Sequence, residues 1–303
     1  MNIGIIGVGG VGGYFGSKLA RTKKAEDQIY FIARGEHLKK IKENGLIVRS
    51  KEEGESVCHP TLATDKISDL PMLDICLICV KAYDLENVLQ ELKGKIKDTT
   101  QILPLLNGID IYERIRKVIS NGYVYPACVY IGTHIGEPGV ICQNGGQCKI
   151  IFGKDFNRLD SEAELLRQAL EAAQINFLWT KEYLEAIWSK YMCIASYTLV
   201  TAAYDKTMGE VYEDKALSEK LLAIMDVIYK LAQKKGINLP TDCVNSAYQK
   251  ALDFPHDTKT SFQRDYEKKR NDERQIFGQT LITLATHHNI DPTPVQEVYN
   301  KLV

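Results

Sequence analysis

The sequence carries no excess of either charge: 38 lysines and arginines stand against 39 aspartates and glutamates over 303 residues, a formal net charge of −1. Such a balance supplies no field for a polyanion or an anionic lipid surface, which argues against a nucleic-acid or membrane-surface partner. The 16 tyrosines do not change this, because they are not interleaved with basic residues. A long apolar run is also missing. Residues 191–204, a nearly uncharged stretch, are fewer than the roughly 20 apolar residues that a bilayer span requires, and they read as a buried helix. There is no block of like charge, no low-complexity tract and no internal repeat, so neither a disordered tail nor a solenoid is expected. Histidine is scarce, at six residues. No Cys/His/carboxylate group has zinc-ligand spacing, and the adjacent His287 and His288 cannot face one ion from a regular helix, so no metal is expected.

Cysteine is plentiful, with eight residues, but it does not form a disulfide pattern. The chain opens Met1-Asn2-Ile3-Gly4-Ile5-Ile6-Gly7 with no basic segment ahead of an apolar one, and it enters a strand pattern at once. Cys76, Cys79, Cys128 and Cys193 lie inside apolar runs, where a reduced thiol behaves as a small hydrophobe. The Cys76-x-x-Cys79 spacing falls within a buried-strand pattern that puts the two side chains on opposite faces, which favours packing over redox chemistry. A reducing cytoplasm fits this usage.

At roughly 100–200 residues per domain, the length suggests two domains, with a boundary near Thr180. The expectation is one domain over residues 1–180 and a second over 181–303. Apolar runs at residues 3–8, 28–33, 75–80, 101–106 and 124–131 read as strands. Helical spacing at 11–21, 84–97 and 109–120 lies between them, and the alternation predicts a parallel sheet with crossover helices. Residues 140–152 read as a β-hairpin turning on Gln143-Asn-Gly-Gly146. From Ser161 onward the periodicity is almost entirely helical. Ser161-x-x-Glu164 resembles a capping box that opens a helix through Ala173. Further helices are expected over residues 184–203, 216–235, 241–251 and 266–289.

The strongest local motif is Gly7-Val8-Gly9-Gly10-Val11-Gly12, which follows a strand pattern and opens a helix pattern. In that context a G-x-G-x-x-G lets backbone N–H groups at a helix N-terminus approach a pyrophosphate that a Cβ would keep away. The end of the second strand discriminates between dinucleotides. NAD-selective folds place an acid there for the ribose 2′-hydroxyl; this chain has Arg34-Gly35 and no acid until Glu36, so a 2′-phosphate and NADPH/NADP+ are favoured. Lys81 and Asn107 each follow an apolar strand, the position from which side chains reach a ligand in a doubly wound sheet. His37 is close enough to Arg34 to touch the cofactor's phosphate side, but it reads better as a surface histidine.

In this order and spacing, several motifs together resemble the 2-dehydropantoate 2-reductase, or ketopantoate reductase, family. They are the Gly7–Gly12 loop, Ala33-Arg34-Gly35, Val80-Lys81-Ala82, Leu105-Leu-Asn-Gly108, Tyr130-Ile-Gly-Thr133 with Glu137-Pro-Gly-Val140, Ile187-Trp-Ser-Lys190, and Ser261-Phe-Gln-Arg-Asp265 with Glu273. The resemblance implies an α/β Rossmann-type N-terminal domain with a parallel sheet, a mostly α-helical C-terminal domain, and an active site in the cleft between them. It implies NADPH-dependent reduction of a small 2-keto acid to a 2-hydroxy acid, in the pantothenate route to coenzyme A.

By the same resemblance Lys190 is the catalytic lysine, and Glu273 is the acidic catalytic-site residue near cofactor and substrate hydroxyl that orients the polar groups. Ser261 contacts substrate, Asn107 sits between nicotinamide and substrate, and Thr133 stands where the family often has alanine beside the nicotinamide. A lysine suits its role, since hydride addition to a ketone builds negative charge on oxygen, which a partly desolvated ammonium can neutralise. Glu273 itself falls among Glu267, Lys268, Lys269 and Arg270, charges that otherwise read as a solvated helix face.

The family's substrate-holding asparagines are replaced here by Ile194, Thr198 and Met208. Thr198 keeps one hydroxyl for substrate, whereas the other two are apolar. Three readings follow: a reductase of 2-dehydropantoate, a relative acting on another 2-keto or 3-hydroxy acid, and a non-catalytic NADPH-binding regulator. No nucleic-acid or membrane partner is expected, and a homodimer is left open.

Overall fold

Five-residue runs such as Asn2–Ile6, buried at all but their first position, can be accommodated only at the centre of a covered sheet. The computed structural model of the protein describes residues 1–160 and 162–303. Ser161, the first residue of the capping box read above, lies outside them. The chain divides into two units, residues 1–106 with 110–183, and residues 107–109 with 184–303. The short segment Asn107–Ile109 thus groups with the second unit although it follows a strand of the first.

In the first unit β1 (Asn2–Ile6), α1 (Gly10–Thr22), β2 (Gln28–Ile32) and α2 (Gly35–Asn44) lead to β3 (Leu46–Ser50), β4 (Gly54–Cys58) and β5 (Leu62–Thr64). Then come β6 (Leu73–Ile78), α3 (Leu85–Leu92), β7 (Ile96–Pro104), α4 (Ile111–Val118) and β8 (Tyr123–Val124). The long strands β9 (Ala127–Glu137) and β10 (Val140–Phe152), α5 (Glu164–Ala172) and β11 (Asn176–Trp179) complete it.

Six strands form a parallel sheet in the order β5-β2-β1-β6-β7-β8. The chain leaves β1 toward β2 on one side and returns to β6 on the other, so the strand order reverses at β1. In open parallel sheets, ligands bind beyond the carboxyl ends of the strands at such a reversal. The segments carrying Gly7, Arg34 and Lys81 follow β1, β2 and β6 respectively, and so leave the sheet at that end.

A second, mixed sheet runs β11-β10-β3-β4, with β9 antiparallel to β10. It corrects the sequence reading in three places. The Gln143–Gly146 segment is no hairpin turn. β10 continues through it for 13 residues, and its register against β9 shifts between Gln143, Gly145 and Lys149. Gly146 (φ +82°) and Cys148 (φ +48°) take left-handed conformations that make a bulge rather than a reversal. The chain turns instead at Pro138-Gly139, between β9 and β10. The strand expected at 124–131 is two strands in different sheets, β8 and β9. Finally β11, pairing Lys149–Phe152 in parallel, lies in a stretch read as helical.

Cys76 is fully buried between Gly4 and Ile102, its register partners, and burial pushes its thiol up to about 12. Burial likewise raises the Cys79 thiol well above its ordinary range. All eight cysteines are free. Thiols so far from ionising are poor nucleophiles and ligands.

The second unit is built on α6 (Tyr183–Tyr204, from Leu184 onward), α7 (Met208–Glu213), α8 (Lys215–Lys234), α9 (Cys243–Gln249), α10 (Ser261–Glu267), α11 (Thr280–His287) and α12 (Thr293–Tyr299). Apolar nearly all round, α6 is a core helix, with Trp188, Tyr191, Met192, Leu199 and Val200 at most 2% exposed. Leu221, Ile224, Met225, Ile228 and Leu231 supply the buried stripe of α8. Thr207 and Glu210 close a reciprocal capping box at α7, and the Asp214 carboxylate accepts from the Ala216 and Leu217 N–H groups at the start of α8.

The helix expected over 266–289 is broken. The backbone turns left-handed at Lys269 (φ +51°), residues 268–273 are irregular, and a π-helical turn at Gln275–Gln279 precedes α11. A π-turn inside a helical stretch inserts an extra residue per turn and is common at functional sites. No helix among the described residues is long and apolar enough to cross a membrane.

Candidate functional site

The turn after β1 shows why its residues are glycines. Gly7 has φ +95°, which side chains rarely adopt, and a Cβ there would meet Val80 Cγ1 at 2.9 Å. A Cβ on Gly12 would lie 2.2 Å from the Gly7 carbonyl oxygen and 2.9 Å from Cys79 Cβ, so only glycine lets α1 start this close to the strands. On Gly9, by contrast, a Cβ would meet nothing within 4 Å. Packing therefore does not require glycine at position 9. Position 9 borders open space. Gly10 closes the far side, where a Cβ would come within 2.9 Å of the Thr133 backbone carbonyl and Oγ1.

Val8 and Val11 hold the loop at either end. Val8 is buried, and its N–H donates to the Ile32 carbonyl at 2.9 Å, tying the loop to the end of β2. Val11 packs half-buried against the sheet core in the first turn of α1. That turn carries no acidic residue and no side-chain cap. Its amides and the positive end of the helix dipole suit an anion. The Thr133 hydroxyl beside Gly10 is a buried polar atom with no hydrogen-bond partner. These features fit a pyrophosphate laid along residues 7–12.

Arg34 caps α2 and extends into solvent, its side chain 65% exposed. One of its guanidinium nitrogens lies 3.5 Å from a carboxylate oxygen of Asp84. Asp84 closes a short 3-10 turn, Ala82–Asp84, which Lys81 opens directly beyond β6, and its N–H donates to the Lys81 carbonyl at 2.9 Å. Sequence reasoning missed Asp84 because its 50-residue separation from Arg34 leaves no local signal.

His37 is not a surface histidine. It is half-buried, its Nδ1 accepts the Gly139 N–H at 2.9 Å, and burial holds its pKa below the ordinary value. The ring therefore braces α2 against the β9–β10 turn.

In the second unit, Lys190 Nζ donates to Asn107 Oδ1 at 2.9 Å. The neighbours of Lys190 along the chain, Ile187, Trp188, Tyr191 and Met192, are all buried, which fixes the helix face from which it projects. Glu273 is 6% exposed and precedes the π-turn, so it belongs to a buried bend and not to a solvated helix face. Tyr191, next to Lys190, donates its hydroxyl to the Ile276 carbonyl at 2.7 Å. This pins the π-turn that follows Glu273 to the helix carrying Lys190. Arg274 braces the same bend, with its guanidinium on Asp272 at 2.7 Å and over the Tyr266 ring at 5.2 Å.

Ser261 is exposed in the first turn of α10, whose cap is Thr260. Of the positions that depart from the resemblance, Ile194 is half-buried, Thr198 is 3% exposed and Met208 6% exposed. No group of three His, Cys, Asp or Glu side chains among the described residues is placed to hold a metal.

Both halves of the chain match models of one protein family. The family model described as "Ketopantoate reductase PanE/ApbA" matches residues 3–155, and that described as "Ketopantoate reductase PanE/ApbA C terminal" matches residues 182–303. The uncharacterized oxidoreductase YkpB of Bacillus subtilis is 24% identical, over 98% of this chain and 96% of its own length. The structure of a PanE/ApbA family ketopantoate reductase from Ralstonia eutropha superposes with a TM-score of 0.90 at 21% identity, covering 100% of this chain and 97% of that one. D-mandelate dehydrogenase, solved with NADH and anilino(oxo)acetate, superposes with a TM-score of 0.85 at 20% identity, covering 100% and 97%. With both halves of the chain matched, this protein belongs to the ketopantoate reductase family.

Proposed function

We propose that this oxidoreductase reduces a small 2-keto acid to the 2-hydroxy acid with NADPH, 2-dehydropantoate being the first substrate to test. Membership of the family supports 2-keto acid reduction with a nicotinamide cofactor. The choice of NADPH rests on Arg34 at the end of β2. The observation that carries the catalytic reading is the 2.9 Å contact between Lys190 and Asn107.

When bound, a reduced nicotinamide dinucleotide would supply the hydride. Reduction of the C2 carbonyl places negative charge on its oxygen, and Lys190 donates a proton to that oxygen. Asn107 accepts one N–H of the ammonium, which orients the others; its own amide N–H remains for substrate or cofactor. Ser261 and Thr198 offer hydroxyls to the substrate's polar groups. Glu273 orients the polar groups around the reacting carbon and the cofactor. The residue 7–12 backbone and the Thr133 hydroxyl beside Gly10 would line the dinucleotide, and Arg34 and Lys81 would meet its phosphates.

A second reading is favoured by Ile194, Thr198 and Met208, which replace three amides with one hydroxyl and two apolar groups. Such a pocket suits a more apolar 2-keto acid. The fold neighbour solved with anilino(oxo)acetate lends this reading support. A panel of 2-keto acids, run with NADPH and with NADH, decides between them. 2-Dehydropantoate is expected to give the highest kcat/KM; a lead of tenfold or more by an aromatic or branched acid would select the second reading. Turnover of none, with tight dinucleotide binding, would leave a regulator.

The glycine loop has its own test. Gly9→Ala is expected to fold with unchanged Tm and to weaken dinucleotide binding by about tenfold or more, because its Cβ enters only the space the pyrophosphate takes. Gly12→Ala should instead lower Tm, because its Cβ meets the Gly7 carbonyl. Isothermal titration beside thermal melts separates the two effects. Equal dinucleotide affinity in Gly9→Ala and wild type would show that the pyrophosphate does not lie there.

A further inference from the structure

We propose that Asp84 is a selectivity residue of the dinucleotide site: its carboxylate, set against Arg34, narrows the preference for a 2′-phosphate and gives a 2′-hydroxyl an acceptor. The proposal rests on the dinucleotide reading above and refines it. Judged from the chain next to β2 alone, the site is one-sided, a guanidinium with no acid. In three dimensions the missing acid is supplied from the other flank of β1. Asp84 arrives from the turn beyond β6 and approaches Arg34 to 3.5 Å.

The neighbouring acids are committed elsewhere. Glu36 pairs with Lys39 at 3.7 Å, and Glu86 with Arg114 at 2.6 Å. Both Arg34 and Asp84 reach solvent, at 65% and 34% side-chain exposure, so a ligand can engage either one.

Charge and chemistry then act in opposite directions for the two cofactors. A ribose 2′-phosphate carries about −1.5 to −2 charges near neutrality and is drawn to the guanidinium. It must also displace or sit beside the Asp84 carboxylate, which repels it. A ribose 2′-hydroxyl is neutral and donates a hydrogen bond, for which a carboxylate is the acceptor that NAD-selective sites use. Arg34 and Asp84 thus form a pair in which each member serves one cofactor and weakens the binding of the other. The interaction is exposed, so it is moderate in size and sensitive to salt.

Fluorescence titration of NADPH and of NADH against the wild type, Asp84→Asn and Arg34→Gln measures this directly, without turnover. The wild type is expected to bind both, with NADPH ahead. Asp84→Asn should raise the ratio Kd(NADH)/Kd(NADPH) by about tenfold, through tighter NADPH and weaker NADH binding, and the gain should shrink at high salt. Arg34→Gln should move the ratio the other way. An unchanged ratio in Asp84→Asn, or equal loss of both cofactors, would overturn the proposal while leaving the dinucleotide reading in place. Failure of the wild type to bind either nucleotide would overturn the dinucleotide reading itself.

Discussion

Lys190→Ala is expected to lower kcat by about 10²–10⁴-fold, the range typical of removing a positioned general acid, while leaving the Kd for NADPH within about twofold. The size follows from where charge develops. In the ground state the keto oxygen is a modest acceptor, and Lys190 gains little by meeting it. In the transition state that oxygen takes on alkoxide charge, and an ammonium aimed at it would stabilise that state far more than the bound substrate.

The glycine loop and Arg34 belong to the first unit, so their integrity does not depend on Lys190. The structural cost of the change should also be small. Lys190 is only half-buried, and alanine suits the middle of α6. Steady-state kinetics with saturating NADPH, together with cofactor titration, tests the claim. Turnover like the wild type's would remove Lys190 from the reaction, and parallel loss of cofactor affinity would make its role one of binding. Asn107→Ala should show a milder fall in kcat, because it removes the orientation of the ammonium and not the proton.

Much of this was legible in the sequence. The apolar runs at 3–8, 28–33, 75–80 and 101–106 are strands of one parallel sheet, since their burial on both faces leaves few alternatives. The Gly7–Gly12 loop announced its own geometry, because three backbone contacts forbid a Cβ and one open space has no need of it. Lys190 stood out as the sole basic residue in a 22-residue apolar helix.

The misreadings share a cause. Gln143–Gly146 carries turn-forming residues, and only the long partner strand β9 decides that they bulge rather than reverse. Residues 266–289 have helical spacing throughout, yet Tyr191 pins the π-turn after the bend to α6, and Arg274 reaches from within the bend to the distant Leu302 carbonyl. Asp84 and His37 act on partners 50 and 102 residues away. Local pattern encodes the elements; the contacts between distant elements decide their ends and exceptions.

Asp155 shows how large such a distant contact can be. Its carboxylate is fully buried and accepts from the Tyr112 hydroxyl at 2.5 Å, the Val124 N–H at 2.8 Å, the Asn157 N–H at 2.9 Å and the Arg116 guanidinium. Arg116 is itself nearly buried and also donates to the carbonyls of Asn121 and Gly122 at 3.1 and 3.0 Å. One charge pair thus ties α4, β8 and the segment after β10 together. Asp155→Ala removes one partner and leaves a buried guanidinium uncompensated, a situation that costs about 3–5 kcal/mol. In a unit of this size that corresponds to a Tm lowered by about 10 °C.

The double variant Asp155→Leu with Arg116→Met should recover much of the loss, because a buried ion pair replaced by apolar groups is often neutral, whereas a broken one is not. Thermal melts of the single and double variants measure the difference. If the double variant is as unstable as Asp155→Ala, the stabilisation lies in the hydrogen bonds from Tyr112, Val124 and Asn157. If Asp155→Ala melts within a degree or two of the wild type, the pair carries no net stability. The dinucleotide Kd, read below either Tm, should stay within about twofold in both variants, because Asp155 tethers the far strands of the sheet while the glycine loop hangs on β1 and β6.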